Sequence, residues 1–198
     1  MRKKSLIEQN KKRLRIIFLF LMVIMVLVII GGIFITTNRF GTDLYKAFVY
    51  NFIGTSFLFA AGLTFCIFIL YHVFLITVYN PQRIKKSSVI KFACSGIITL
   101  IFTIVLLTFG GTEAKKSIQS MKDYENGEWQ VKDVLVTDIY RGSRGHKGSY
   151  RSNIVLIDTD IGEMTLYFED FLIYKGEKYR FTYLDATNTI IKVENIID

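Results

Sequence analysis

Three stretches of this chain contain no Asp, Glu, Lys or Arg: Ile16 to Thr37, Ala47 to Asn80 and Phe92 to Thr112. About 20 mainly apolar helical residues cross the hydrocarbon core of a bilayer, so the pattern predicts transmembrane helices over 16–37, 50–79 and 92–111. Asn80-Pro81 ends the second, because proline disfavours helical backbone at its predecessor and breaks the hydrogen-bond ladder. Ala114, Ile118 and Met121 keep helical spacing beyond the third run, predicting a stalk over 112–127 that Asn126-Gly127 terminates.

From Glu128 the period changes to two. Glu128 to Tyr140, Tyr150 to Asp158, Glu163 to Phe168, Lys178 to Leu184 and Thr189 to Ile197 read as strands rich in Val, Ile, Thr, Tyr and Phe. Asp160-Ile161-Gly162 and Asp185 to Asn188 supply turns, and Glu169 to Tyr174 is expected to form a helical turn or two. Five strands with a short helix between the third and fourth follow the element order of an OB-fold, a small partly open barrel. An SH3-like barrel is the alternative, but its helical turn normally precedes the last strand. The expected fold class is therefore an α+β membrane protein, with three transmembrane helices followed by a five-stranded OB-like β domain over 128–198.

Charge then orients the helices. The formal net charge of +8 suggests a polyanion partner until it is divided by segment. The head 1–15 carries seven Lys/Arg against Glu8, the loop 80–91 carries Arg83, Lys85, Lys86 and Lys91, and the tail from Gly111 has twelve basic against fifteen acidic residues. The two basic segments share one side if the helices alternate, and the positive-inside rule makes that side cytoplasmic. The β domain is then expected outside, where nucleic acid is not the partner. The first run is too long for a signal peptide and lacks a small-residue cleavage site, so it is read as an uncleaved anchor. Cys66 and Cys94 both lie in apolar runs, which leaves the tail no disulfide. A composition rich in Ile, Lys, Phe, Tyr and Asn with one Pro points to an AT-rich bacterial genome, hence a bacterial cytoplasmic membrane.

Successive helical residues advance about 100°. Asn51, Thr55, Gly62 and Cys66 therefore share a face of the second helix, and Ser95, Thr99 and Thr103 a face of the third. Small and weakly polar residues let helices approach closely in lipid, so these stripes are candidate packing faces. His72 is the one histidine in the runs and lies off the stripe; it is read as a packing or interfacial histidine in preference to a sensor. Tyr45, Tyr50, Tyr71 and Tyr79 are read as interfacial belt residues.

The most distinctive polar feature is the first hairpin loop. Arg141, Arg144, His146, Lys147 and Arg151, interleaved with three glycines, are the candidate contact for an anion or a protein partner. No phosphate-binding loop, zinc-protease or nucleophile-elbow motif is present. Asp158, Asp160 and Glu163 cluster at a turn but fall short of a calcium loop. No catalytic, cofactor or metal residue is therefore expected. Two functions are expected of such a chain. It is a non-enzymatic membrane module binding lipids and a protein partner through its outer domain, or it is a toxin-immunity protein or accessory subunit of a transport or secretion complex acting through its helices.

Overall fold

The computed structural model describes residues 2–37, 43–79, 85–141, 154–167 and 173–196. Three helices dominate its first part: α1 (Arg2–Thr37), α2 (Leu44–Phe74, running on as a π-helical turn Leu75–Tyr79) and α3 (Lys86–Asn126). All three are long and apolar enough to cross a membrane. α2 starts six residues before the expected position 50, because Asp43 caps it. The Asp43 carboxylate accepts the amides of Tyr45 at 3.0 Å and Lys46 at 3.2 Å, satisfying donors that a helix N-terminus otherwise leaves open. Helix α3 runs without interruption through the segment expected as a stalk. It ends where Gly127 adopts φ 74° and the amides of Gly127 and Glu128 turn back to the carbonyls of Tyr124 and Asp123, the paired bonds of a Schellman end.

The chain divides into two compact units, the first formed by Met1–Ile33 and Gly54–Thr112. Within it α2 touches both other helices where glycine permits. A Cβ on Gly31 would lie 2.8 Å from the Gly54 carbonyl oxygen, and one on Gly96 would lie 2.7 Å from Val73. Gly110 packs against the Phe59 ring. Phe20 of α1 meets Phe68 and Tyr71 of α2 at ring distances of 5.5 and 6.3 Å. Large apolar side chains point outward, with Phe18 70% and Phe109 72% exposed.

The second unit comprises Phe34–Ile53 and Glu113–Asp198. Its five strands are β1 (Gln130–Arg141), β2 (Val155–Thr159), β3 (Gly162–Leu166), β4 (Lys178–Leu184) and β5 (Thr189–Asn195). The pairing order is β1-β2-β3-β5-β4, with β4 returning to β1. β1 serves two partners: Gln130 to Leu135 pair with β4, and Val136 to Arg141 pair with β2 across an irregularity at Val136/Asp138. The ring closes narrowly through two parallel pairs, Thr165↔Thr189 and Leu166↔Ile190. The short helix expected over 169–174 lies largely outside the described residues.

Alternation in β2 and β4 turns Val155, Ile157, Tyr179, Phe181 and Tyr183 into one core with Val134, Met164 and Ile190. Leu44 and Ala47 from the first turn of α2 belong to the same core. Phe48 is buried and meets Tyr167 edge-on at 5.8 Å. On α3, Ser120 is fully buried, its hydroxyl 2.9 Å from that of Thr187, which in turn lies 2.8 Å from that of Thr189. The helix ends in this unit are thus part of the β domain's interior.

Candidate functional site

The basic loop is anchored at both ends by the β1–β2 ladder, with Arg141 paired to Val155. Arg144, His146, Lys147 and Arg151 themselves lie outside the described residues, as does the Arg141 side chain. The acidic turn is structural. The Asp160 carboxylate accepts the Leu135 amide at 3.1 Å, and Asp158 and Glu163 face each other across the β2–β3 hairpin. Among the described residues, no three His, Cys, Asp or Glu side chains are placed to hold a metal ion.

The candidate packing residues meet different fates. Cys66 is buried at 3% exposure, whereas Thr55 and Ser95 are exposed. Gly62 has open space where a Cβ would stand. Thr99 and Thr103 donate to the carbonyls four residues earlier, at 2.9 and 2.7 Å, so their hydroxyls are satisfied within α3. Asn51 lies in the other unit and hydrogen-bonds the Tyr167 hydroxyl; burial pushes the Tyr167 pKa up and the Asn51 bond acts against it. The His72 Nδ1 lies 2.8 Å from the Phe68 carbonyl oxygen. That oxygen can only accept, so Nδ1 carries the proton, and the ring lies 4.3 Å from that of Phe68, tilted by 57°.

A feature the sequence did not announce lies on the outer face of β1, β4 and β5. There Val131, Thr182 and Lys192 form one cross-strand row. A cavity of about 460 Å³ opens over this row, walled by Tyr45, Tyr124 and Trp129 and edged by Asp43 and Glu194. Tyr45 and Tyr124 stack with ring centroids 3.5 Å apart and planes within 7°, and Trp129 lies 5.8 Å from Tyr124 at 48°. Trp129 is the chain's only tryptophan and is 43% exposed.

The charged groups around the cavity are already partnered. The carboxylate of Glu194 accepts from the Lys192 ammonium at 2.6 Å, which holds its pKa below the ordinary glutamate value. Asp43 caps α2 and lies 3.8 Å from Lys46. Beside the row, Arg180 grips Asp133 through two hydrogen bonds of 2.7 and 3.0 Å, and the Asp133 carboxyl is correspondingly lowered. The cavity lining therefore combines aromatic rings with hydrogen-bond donors and acceptors, and its charged groups are paired. Comparison of the chain with protein-family models, curated proteins and solved structures finds no match.

Proposed function

We propose that the chain is a three-span protein of a bacterial cytoplasmic membrane, with its N-terminus inside and an OB-like β domain outside, acting as a non-enzymatic binding or regulatory module. The observation that carries this reading is the composition of the β core. Leu44 and Ala47 of α2 are as buried in it as its own strands, so the domain is built on the ends of membrane-length helices, as a presented binding module needs. The pairing order ending in parallel β3–β5 contacts supports the OB-like reading. The SH3-like alternative would place its helical turn between β4 and β5, where the chain has only the Asp185 to Asn188 turn.

The excess of Lys and Arg in 1–15 and 80–91 supports the orientation. Cysteine labelling tests it. In a chain carrying Cys66→Ala, Cys94→Ala and Ser143→Cys, an impermeant thiol reagent should label intact cells; labelling only after lysis overturns the topology. Partner contact through the basic loop is tested in the same full chain by changing Arg141, Arg144, Lys147 and Arg151 to Gln. Binding to anionic vesicles or to a captured partner should fall and lose its salt dependence, since exposed charges are screened over about 10 Å at 0.1 M salt.

A second reading treats the helices as the active part, as an immunity protein or an accessory subunit would be. The observation favouring it is that Thr55 and Ser95 are exposed and free to meet a foreign helix. If a phenotype survives the four-Gln change but not Thr55→Leu with Ser95→Leu, the helix-centred reading replaces the first.

A further inference from the structure

We propose that the aromatic cavity over β1, β4 and β5 is a carbohydrate-binding site that takes a short neutral glycan segment. The site is distinct from the basic loop and does not depend on the topology, so its failure would leave both earlier tests standing.

A pyranose ring offers apolar C–H groups on a face and hydroxyls around its edge, each hydroxyl both donor and acceptor. It needs a flat, rigid aromatic surface and an adjoining row of mixed polar groups. The cavity supplies both. The half-exposed Trp129 indole supplies the flat face, the Tyr124 ring adjoins it at 48°, and the stacking of Tyr45 on Tyr124 holds that wall in place before any ligand arrives. Such preorganisation lowers the ordering cost of binding. The Schellman turn at Gly127 sets the direction in which the chain leaves α3, two residues before the indole. The same lining holds a hydroxyl donor and acceptor at Thr182, an ammonium donor at Lys192 and a carboxylate acceptor at Glu194. The volume of about 460 Å³ falls within the range of small-molecule sites.

The rival occupants fit less well. An organic cation would use the aromatic faces, but it would also need a free carboxylate. Glu194 is bound by Lys192, and Asp43 is committed to capping α2. An anion would need a free cation, and Lys192 is paired. A purely apolar ligand would strip water from the Thr182 hydroxyl and from the Lys192–Glu194 pair and offer no hydrogen bond in return, a loss that burial of polar groups makes costly.

The chain carries its own reporter, since Trp129 is its only tryptophan. The experiment uses the full chain in nanodiscs of phosphatidylglycerol, free of glycolipid and of sugar-headed detergent. Trp129 emission is followed during titration with triacetylchitotriose, cellotriose, maltotriose and, separately, tetramethylammonium chloride. At least one sugar should give a saturable change by about 20 mM, where even a millimolar Kd is mostly filled. Tyr124→Ala should weaken that binding about tenfold. Because Tyr124→Ala removes half of a stacked pair, Thr182→Val serves as a shape-conserving second variant and should weaken binding at least about threefold. Absence of a saturable response to all three sugars overturns the proposal. So does a response to tetramethylammonium alone, or a sugar response that both variants leave unchanged.

Discussion

Phe48→Ala separates a β domain that is built on α2 from one merely attached to it. Phe48 lies in the second turn of α2, 2% exposed, with its ring edge-on to Tyr167 at 5.8 Å and 6.3 Å from Tyr45. Truncating a buried phenylalanine typically costs about 3–5 kcal/mol through lost burial and the cavity left behind. The edge-to-face contact makes up about 0.5–1.5 kcal/mol of such a loss. For a domain of this size each kcal/mol moves Tm by roughly 4–8 °C, so a drop of at least about 12 °C is expected. The assay is thermal unfolding of the full chain in nanodiscs, followed by Trp129 emission, which reports on the same unit. Phe48→Leu keeps most of the volume and should cost less than about 1.5 kcal/mol. If Phe48→Ala melts within about 3 °C of the wild type, the start of α2 does not contribute to the β domain's stability.

Three further outcomes follow from local geometry. Gly31→Ala should destabilise the helical unit, since the new Cβ would meet the Gly54 carbonyl at 2.8 Å, whereas Gly32→Ala has open space and should be neutral or gain up to about 1 kcal/mol of helix propensity; unfolding in graded SDS ranks the two. Gly127→Ala places a Cβ at φ 74° and should cost about 1–2 kcal/mol, read as a lower Tm without loss of helical circular dichroism. Asp133 is held below the usual aspartate pKa by Arg180, so its ion pair contributes above the unfolded value of about 3.9 and is lost as pH falls through the lower folded value. The Tm difference between wild type and Asp133→Asn should therefore be steady from about pH 5 to 8 and shrink below about pH 4.

The helices were legible because a run without charge leaves few alternatives, and the strands because period-two burial survives in β2 and β4. The dual partnership of β1 was not legible. It depends on the irregularity at Val136/Asp138, which leaves no signature in an alternating run. The early start of α2 could have been read from Asp43, a capping residue, but Lys46 drew the boundary of the apolar run past it. The place of Leu44 and Ala47 in a β core, and of Phe48 against Tyr167 beside it, was hidden for a physical reason. An apolar residue near a helix end looks the same whether it will face lipid or protein. The cavity was hidden by distance along the chain: Tyr45 passed for a belt residue and Tyr124 for part of a stalk, and only folding stacks them.

The interrupted sequence of the second unit, Phe34–Ile53 and then Glu113–Asp198, has a consequence for synthesis. Phe48 leaves the ribosome about 120 residues ahead of Tyr167, its ring partner, which at roughly 5–20 residues per second is an interval of about 6–24 s. During that time the first turns of α2 carry an apolar face with no strand to cover it, and the strands made later have no finished core until they reach it. The β domain therefore does not draw its core from one contiguous stretch of the chain. It matures by capture of a segment that has been waiting, which makes the nascent chain in that interval the form most open to chaperones, proteases and mispairing with a second copy.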